Sequence, residues 1–216
     1  MNIDFDSGFD FENNEMQIIK DFMSRKEEKT IKIYEAALNV FARYGYKRTR
    51  VEDIADELGM TKGSLYLYVK SKKDLYHKTV SYGLRKWQAE VAGAIERVPD
   101  IEQKFRVLCE TSYDYLAQDQ ALRRILIDDP GIFTISSDED RFRDINQASV
   151  SMLREVLANG IAQQRFREAD VDHLAELLYS IYVMFIIKTY VKSDGKSTRI
   201  MFKQAVDIIL NGILTA

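Results

Sequence analysis

Cysteine is nearly absent. A single residue, Cys109, excludes an internal disulfide and suits a reducing cytoplasm. Only 2 prolines and 10 glycines interrupt the chain, and its apolar residues recur at helical spacing, so an all-α protein is expected. The uncharged stretch Leu177–Ile187 (LLYSIYVMFII) lies between Glu176 and Lys188 and falls short of the ~20 apolar residues that a bilayer requires. It reads as a helix buried in protein, with no membrane partner. The N-terminal MNIDFDSGFD lacks the basic-then-apolar layout of a signal peptide. Histidine is scarce as well, with 2 residues. His173 in DVDHLAE, flanked by Asp170 and Glu176, sketches a ligand face, but a structural zinc site needs about four ligands, so no metal is expected. No serine, cysteine or carboxylate constellation supports catalysis, and no cofactor is implied. Cys109 itself lies in an apolar pattern, which suits a core position.

What is present is a sizeable core, with 46% hydrophobic and 30% charged residues, and a segregated charge. The net charge of −3 divides unevenly along the chain. Residues 1–24 carry six acids against one base. Residues 25–78 carry thirteen bases against eight acids, and residues 79–216 are acidic again. A basic segment inside an acidic protein is the footprint of a polyanion partner. The first segment reads as an acidic arm, either a mobile tail or a helix from about Asn13 that runs into the next one.

Periodicity places helices over 30–44, 51–58, 62–69, 72–97, 101–118, 120–128, 140–163, 170–191 and 197–214, with a loop over 128–140 marked by Pro130–Gly131. The stretch TKGSLYLYVKSKKDLY (61–76) alternates in its middle as a strand would, but Thr61 and Ser71 stand where helix N-caps belong. Asp74 follows Ser71 in box-like spacing. On a helix, Leu65 and Val69 share one face and seal against Ile54, Leu58 and Phe41. Lys62, Gly63, Tyr66 and Leu67 are left outside. Helices 51–58 and 62–69 then form a helix-turn-helix unit.

These residues resemble a known family. The stretch from Ala36 to Tyr76 is similar to the DNA-binding domain of the TetR family of transcriptional regulators. The matching positions are Gly45–Tyr46, Thr49, Ile54–Ala55, Gly59, Thr61, Gly63–Ser64–Leu65–Tyr66, Lys72 and Leu75. The resemblance implies a ligand-responsive repressor that binds a palindromic double-stranded operator as a homodimer and is released by a small molecule. It divides the chain into the arm (1–24), the DNA-binding domain (25–78) and a helical effector-binding and dimerisation domain (79–216). A ligand-binding or scaffolding protein of the same fold without DNA binding is the alternative.

DNA contacts are expected from Thr49, Arg50, Thr61, Lys62, Gly63, Ser64, Tyr66, Leu67, Tyr68 and Lys72. Lys62 can donate to guanine, Gly63 permits close approach, and Leu67 suits a thymine methyl. The tyrosine hydroxyls suit phosphates, and Lys72 adds a cation near a helix N-terminus. Arg50 replaces the small hydroxyl residue usual before the second helix, so the cap is expected to pass to Thr49 while Arg50 reaches a phosphate or base. Trp87, Cys109, Tyr113, Met152 and Tyr179 are expected to wall a pocket for an apolar or aromatic effector with one or two polar groups. Leu174, Leu177, Leu178, Ile181 and Phe185 on one helix, with Ile200, Phe202, Val206, Ile209 and Ile213 on the next, are the expected dimer stripes.

Overall fold

The computed structural model describes residues 11–133, 140–191 and 195–215, and side-chain surroundings from residue 25 onward outside 191 and 195–197. The described residues are helical almost throughout: α1 (Phe11–Arg48), α2 (Val51–Glu57), α3 (Lys62–Leu65), α4 (Lys72–Glu96), α5 (Ile101–Gln118), α6 (Gln120–Asp128), α7 (Arg143–Ala162), α8 (Val171–Ile186) and α9 (Gly195–Ile213). A 3-10 turn, Pro130–Ile132, precedes the undescribed residues 134–139, on which part of the expected loop falls. The first ten residues of the acidic arm also lie outside the described set.

Local chemistry sets the boundaries. Asp100, Asp119 and Asp170 each accept a backbone N–H of the first turn of α5, α6 and α8, at 2.9, 2.9 and 3.0 Å. His173, weighed above as a metal ligand, pairs its Nδ1 with the capping Asp170 at 3.1 Å. Helix α1 runs on from residue 11, but it is bent at Gly45 (φ 76°, ψ 157°), a backbone region open essentially to glycine alone. The expected helix 170–191 changes at Ile187 into a π turn reaching Val191. There Thr189 and Tyr190 are buried and tied to α5: the Tyr113 and Thr189 hydroxyls meet at 2.7 Å, and Tyr190 donates to the Tyr113 carbonyl at 2.8 Å.

One continuous core runs the length of the molecule. At the N-terminal end Ile33, Ala37, Phe41, Ile54, Leu65 and Leu75 are sealed from solvent and hold α1 to α4 as a unit. Beyond it α4 continues against α5 and α7, while α8 and α9 pack behind α5. At the far end Gly160 lets the Phe166 ring lie directly on α7, where a Cβ would stand 2.0 Å from it. Phe166 also bridges to Leu214 after α9.

Candidate nucleic-acid interface and ligand cavity

The turn between α2 and α3 is made by Gly59 (φ 61°). Thr61 caps α3, its hydroxyl oxygen accepting the Ser64 N–H at 3.1 Å and lying 2.9 Å from the Ser64 hydroxyl. The expected helix 62–69 is shorter than its sequence pattern: α3 ends at Leu65, and residues 66–68 continue as turns closed by Leu67 N–H to Ser64 O and Tyr68 N–H to Leu65 O. Tight i→i+3 turns still carry Leu65 and Val69 inward, to 0% and 3% exposure. Lys62, Gly63, Tyr66 and Leu67 stand outward together, and Leu67 is 82% exposed.

Lys62 is held on this surface. Its ammonium lies 2.6 Å from Glu52 Oε1 on α2 and 6.0 Å from the centre of the Tyr66 ring. The hydrogen bond with Lys62 holds the Glu52 carboxyl below its usual range, and the same bond raises the lysine. Lys72 is half-buried. It donates to the Lys47 carbonyl at 3.2 Å and sits 4.6 Å over the Tyr46 ring, so it fastens the start of α4 to the end of α1. Tyr68 is half-buried, with Lys29 5.9 Å over its ring.

Thr49 is a correction. It is 1% exposed and spends its hydroxyl on the Gly45 carbonyl at 2.9 Å, so it neither caps α2 nor reaches the outer surface. Arg50 holds the N-cap position. Having no acceptor to offer, it leaves the capping to Asp53, whose carboxylate takes the Arg50 N–H at 2.6 Å. Its side chain remains exposed beside the α3 surface.

Within the body, α4, α5, α7, α8 and α9 enclose a cavity of about 100 Å³. Trp87, Cys109, Met152 and Tyr179 line it as expected. Tyr113 does not: it lies outside the lining, stacked on Phe202 with centroids 4.1 Å apart, its hydroxyl on Thr189. Phe133, beyond the 3-10 turn, closes one side with its edge toward Trp87 at 6.3 Å. Among the described residues the wall includes no aspartate, glutamate, lysine, arginine or histidine. Burial pushes the Cys109 thiol up to about 12, away from nucleophilic reactivity.

The expected dimer stripes are also corrected. Leu178, Ile181, Phe185, Phe202, Val206 and Ile209 face the cavity of their own chain. Leu174 and Ile213 line a second hollow with Phe166. A wide apolar pattern on α8 and α9 serves both sides, and spacing alone does not tell inside from outside. Leu177 and Ile200 of the expected set do stand outward, joined by Met184, Met201 and Ile208, all more than 40% exposed.

Helix α4 packs on α1 at its start and runs on against α5 and α7, so it links the two ends of the molecule. The structure adds a second contact. Asp129, just after α6, accepts from the Tyr76 hydroxyl at 3.0 Å and from Arg141 at 2.8 Å. The Arg141 carbonyl lies 3.1 Å from His77 Nε2, and Phe142 stacks on the His77 ring at 4.9 Å. Tyr76 in turn meets Phe41 and Tyr46, at 5.1 and 4.8 Å. Burial first, then the Asp129 charge, push the Tyr76 hydroxyl well above its ordinary range. Nothing in the periodic pattern marks this contact; the DDPG run at 128–131 was its only trace.

Comparison with known proteins matches residues 33–79 to the bacterial regulatory proteins of the tetR family. The fatty acid metabolism regulator protein of Bacillus subtilis is 22% identical over 88% of this chain and 98% of its own. The HTH-type transcriptional repressor KstR2 of Mycolicibacterium smegmatis is 26% identical over 88% and 91%. Among solved structures, a transcriptional regulator FadR from Bacillus subtilis in complex with stearoyl-CoA superposes with a TM-score of 0.70, at 18% identity, over 84% of this chain and 98% of that one.

Proposed function

Since the chain belongs to the TetR family through its helix-turn-helix unit, we propose that it is a cytoplasmic, homodimeric repressor that releases a palindromic operator when an apolar effector fills the body. The single observation that carries this is the outward cluster of Lys62, Gly63, Tyr66 and Leu67 on a unit whose opposite face is fully sealed. A short element that buries one side and offers a cation, a bare backbone and a large apolar group on the other fits the major groove. Residues 25–78 form the reading domain on this proposal, and residues 79–216 the sensing and pairing domain.

The apolar face of Leu177, Met184, Ile200, Met201 and Ile208 supplies the pairing surface. An uncharged, largely apolar cavity supports an effector with an aliphatic chain or a sterol-like body, in keeping with relatives named for fatty acid and ketosteroid control. The test is fluorescence anisotropy of the protein on DNA flanking its own coding region across a salt series. Sequence-selective binding with a steep negative salt slope is expected. Binding that is absent or indifferent to sequence would leave a ligand-binding protein without a regulatory site.

A further inference from the structure

The cavity's polar groups can be accounted for one by one. Tyr179 donates its hydroxyl to Asn146 Oδ1 at 3.1 Å. Tyr182 and Trp87 both donate to the Ser112 carbonyl, at 3.1 and 3.0 Å. Asn146 Nδ2 donates to Asp140 at 2.8 Å. Gln88 spends both amide hydrogens, on the Ile145 carbonyl at 2.5 Å and on Ser149 Oγ at 2.7 Å. A carbonyl can only accept, so the amide orientation of Gln88 is fixed by chemistry.

Among the described residues the wall's strong donors have partners except the Ser112 hydroxyl, which can serve either way, and the second amide hydrogen of Asn146, while Gln88 Oε1 accepts from no described residue. We infer that Gln88 is the ligand's polar anchor, and that it selects an apolar molecule carrying an uncharged hydrogen-bond donor, such as a hydroxyl, over the matching carboxylate or ester.

The physical reason lies on both sides of the pair. A carboxylate entering an apolar cavity needs several donors to replace its water, and the wall has at most the Ser112 hydroxyl and one Asn146 amide hydrogen to offer, with no cation. A carbonyl of an ester meets another acceptor at Gln88 and gains nothing. A hydroxyl satisfies the open oxygen and keeps the tyrosine network intact. The cavity's modest size and its Trp87 wall, next to Gln88 on α4, also make binding readable in the protein's one tryptophan.

This inference rests on the cavity being the effector site, but its test does not need DNA. Trp87 emission is followed while 1-octanol, octanoate and methyl octanoate are added to the wild-type protein and to Gln88→Met, which keeps the side-chain length. Octanol is expected to bind wild type at least about tenfold more tightly than either analogue, which is the worth of one well-placed hydrogen bond. In Gln88→Met the preference for octanol over the ester is expected to vanish while ester affinity is retained. Octanoate binding tightest, an unchanged preference in the variant, or no binding by any of the three would overturn the proposal. Should the variant not fold, the wild-type ranking decides. Octanol binding that leaves DNA affinity untouched would instead count against the regulatory reading and spare this one.

Discussion

Glu52 and Lys62 show how one residue can set the behaviour of a surface. On a face proposed to read polyanionic DNA, Glu52 would repel phosphate while it holds the lysine in place. Glu52→Gln is expected to strengthen binding to random DNA while narrowing its gap from the operator. Lys62→Ala is expected to weaken operator binding by about 1–3 kcal/mol and relax one base position. Anisotropy on operator and scrambled DNA checks both, and equal losses on both sequences in Lys62→Ala would remove it from base reading.

Gly45 is the other decisive residue. A side chain there would be forced into a backbone region costing about 1–3 kcal/mol, so Gly45→Ala is expected to lower the melting temperature although 3.6 Å of space separates its Cβ position from Asp128. At this scale the sequence was legible where chemistry is local: Thr61, Ser71 and Gly45 do what their types and positions imply. It was misleading where tertiary packing chose. Thr49 lost its expected capping place because the Gly45 carbonyl claimed its hydroxyl, and Arg50 stands at the N-cap instead.

Among the helices, periodicity gave α4 to α6 nearly to the residue, because their caps and apolar faces agree, and placed the start of α7, which no side chain caps, three residues early. It failed for the end of α3, where a four-residue helix and a turn pack the same two side chains as a longer helix would. It failed again on α8 and α9, apolar on more than one face. The contact of Asp129 with Tyr76 was beyond its reach, since it joins α4 to a turn 53 residues away.

That contact gives the Pro130–Ile132 turn two roles. One end holds Tyr76 beside the reading unit, and the other carries Phe133 into the cavity wall. On the proposed regulatory reading, a ligand that displaces Phe133 pulls on Tyr76 at the start of α4 through this turn, rather than along the length of that helix. Tyr76→Phe keeps the ring contacts and removes only the hydroxyl. It is expected to cost about 1 kcal/mol of stability. Ligand binding should stay intact, and the effect of ligand on DNA affinity should shrink several-fold. Titrating ligand with and without operator measures that coupling directly. An unchanged coupling factor would assign the signal to α4 alone.

The whole molecule is rich in tyrosine, with 12 residues, and several are held neutral by burial. Tyr82 and Tyr190 are pushed up to about 12, and Tyr76, Tyr179 and Tyr182 further, desolvation leading in each case. An unfolded chain ionises its tyrosines near pH 10. The folded state therefore has its full tyrosine-linked stability below pH 10 and loses it progressively as pH rises above that, because only the unfolded state sheds those protons. Melts across pH 8–11.5 are expected to show a steep fall above 10, with tyrosinate absorbance near the transition. A flat profile would mean that these hydroxyls are not shielded.

The π turn at Ile187–Val191 also bears on how the gene can change. Such a turn holds one more residue than an α-helical turn while both flanks stay in place. Its flanks here are pinned, by Ile186 in the core on one side and by Thr189 and Tyr190 on α5 on the other. Loss of one codon in the middle of α8 would swing every later side chain by about 100° and turn its apolar face to water. Loss of one codon at Ile187 or Lys188 relaxes the widened turn to an ordinary one and leaves α8 in register, so this short stretch is where the reading frame of the helix has room to lose a residue.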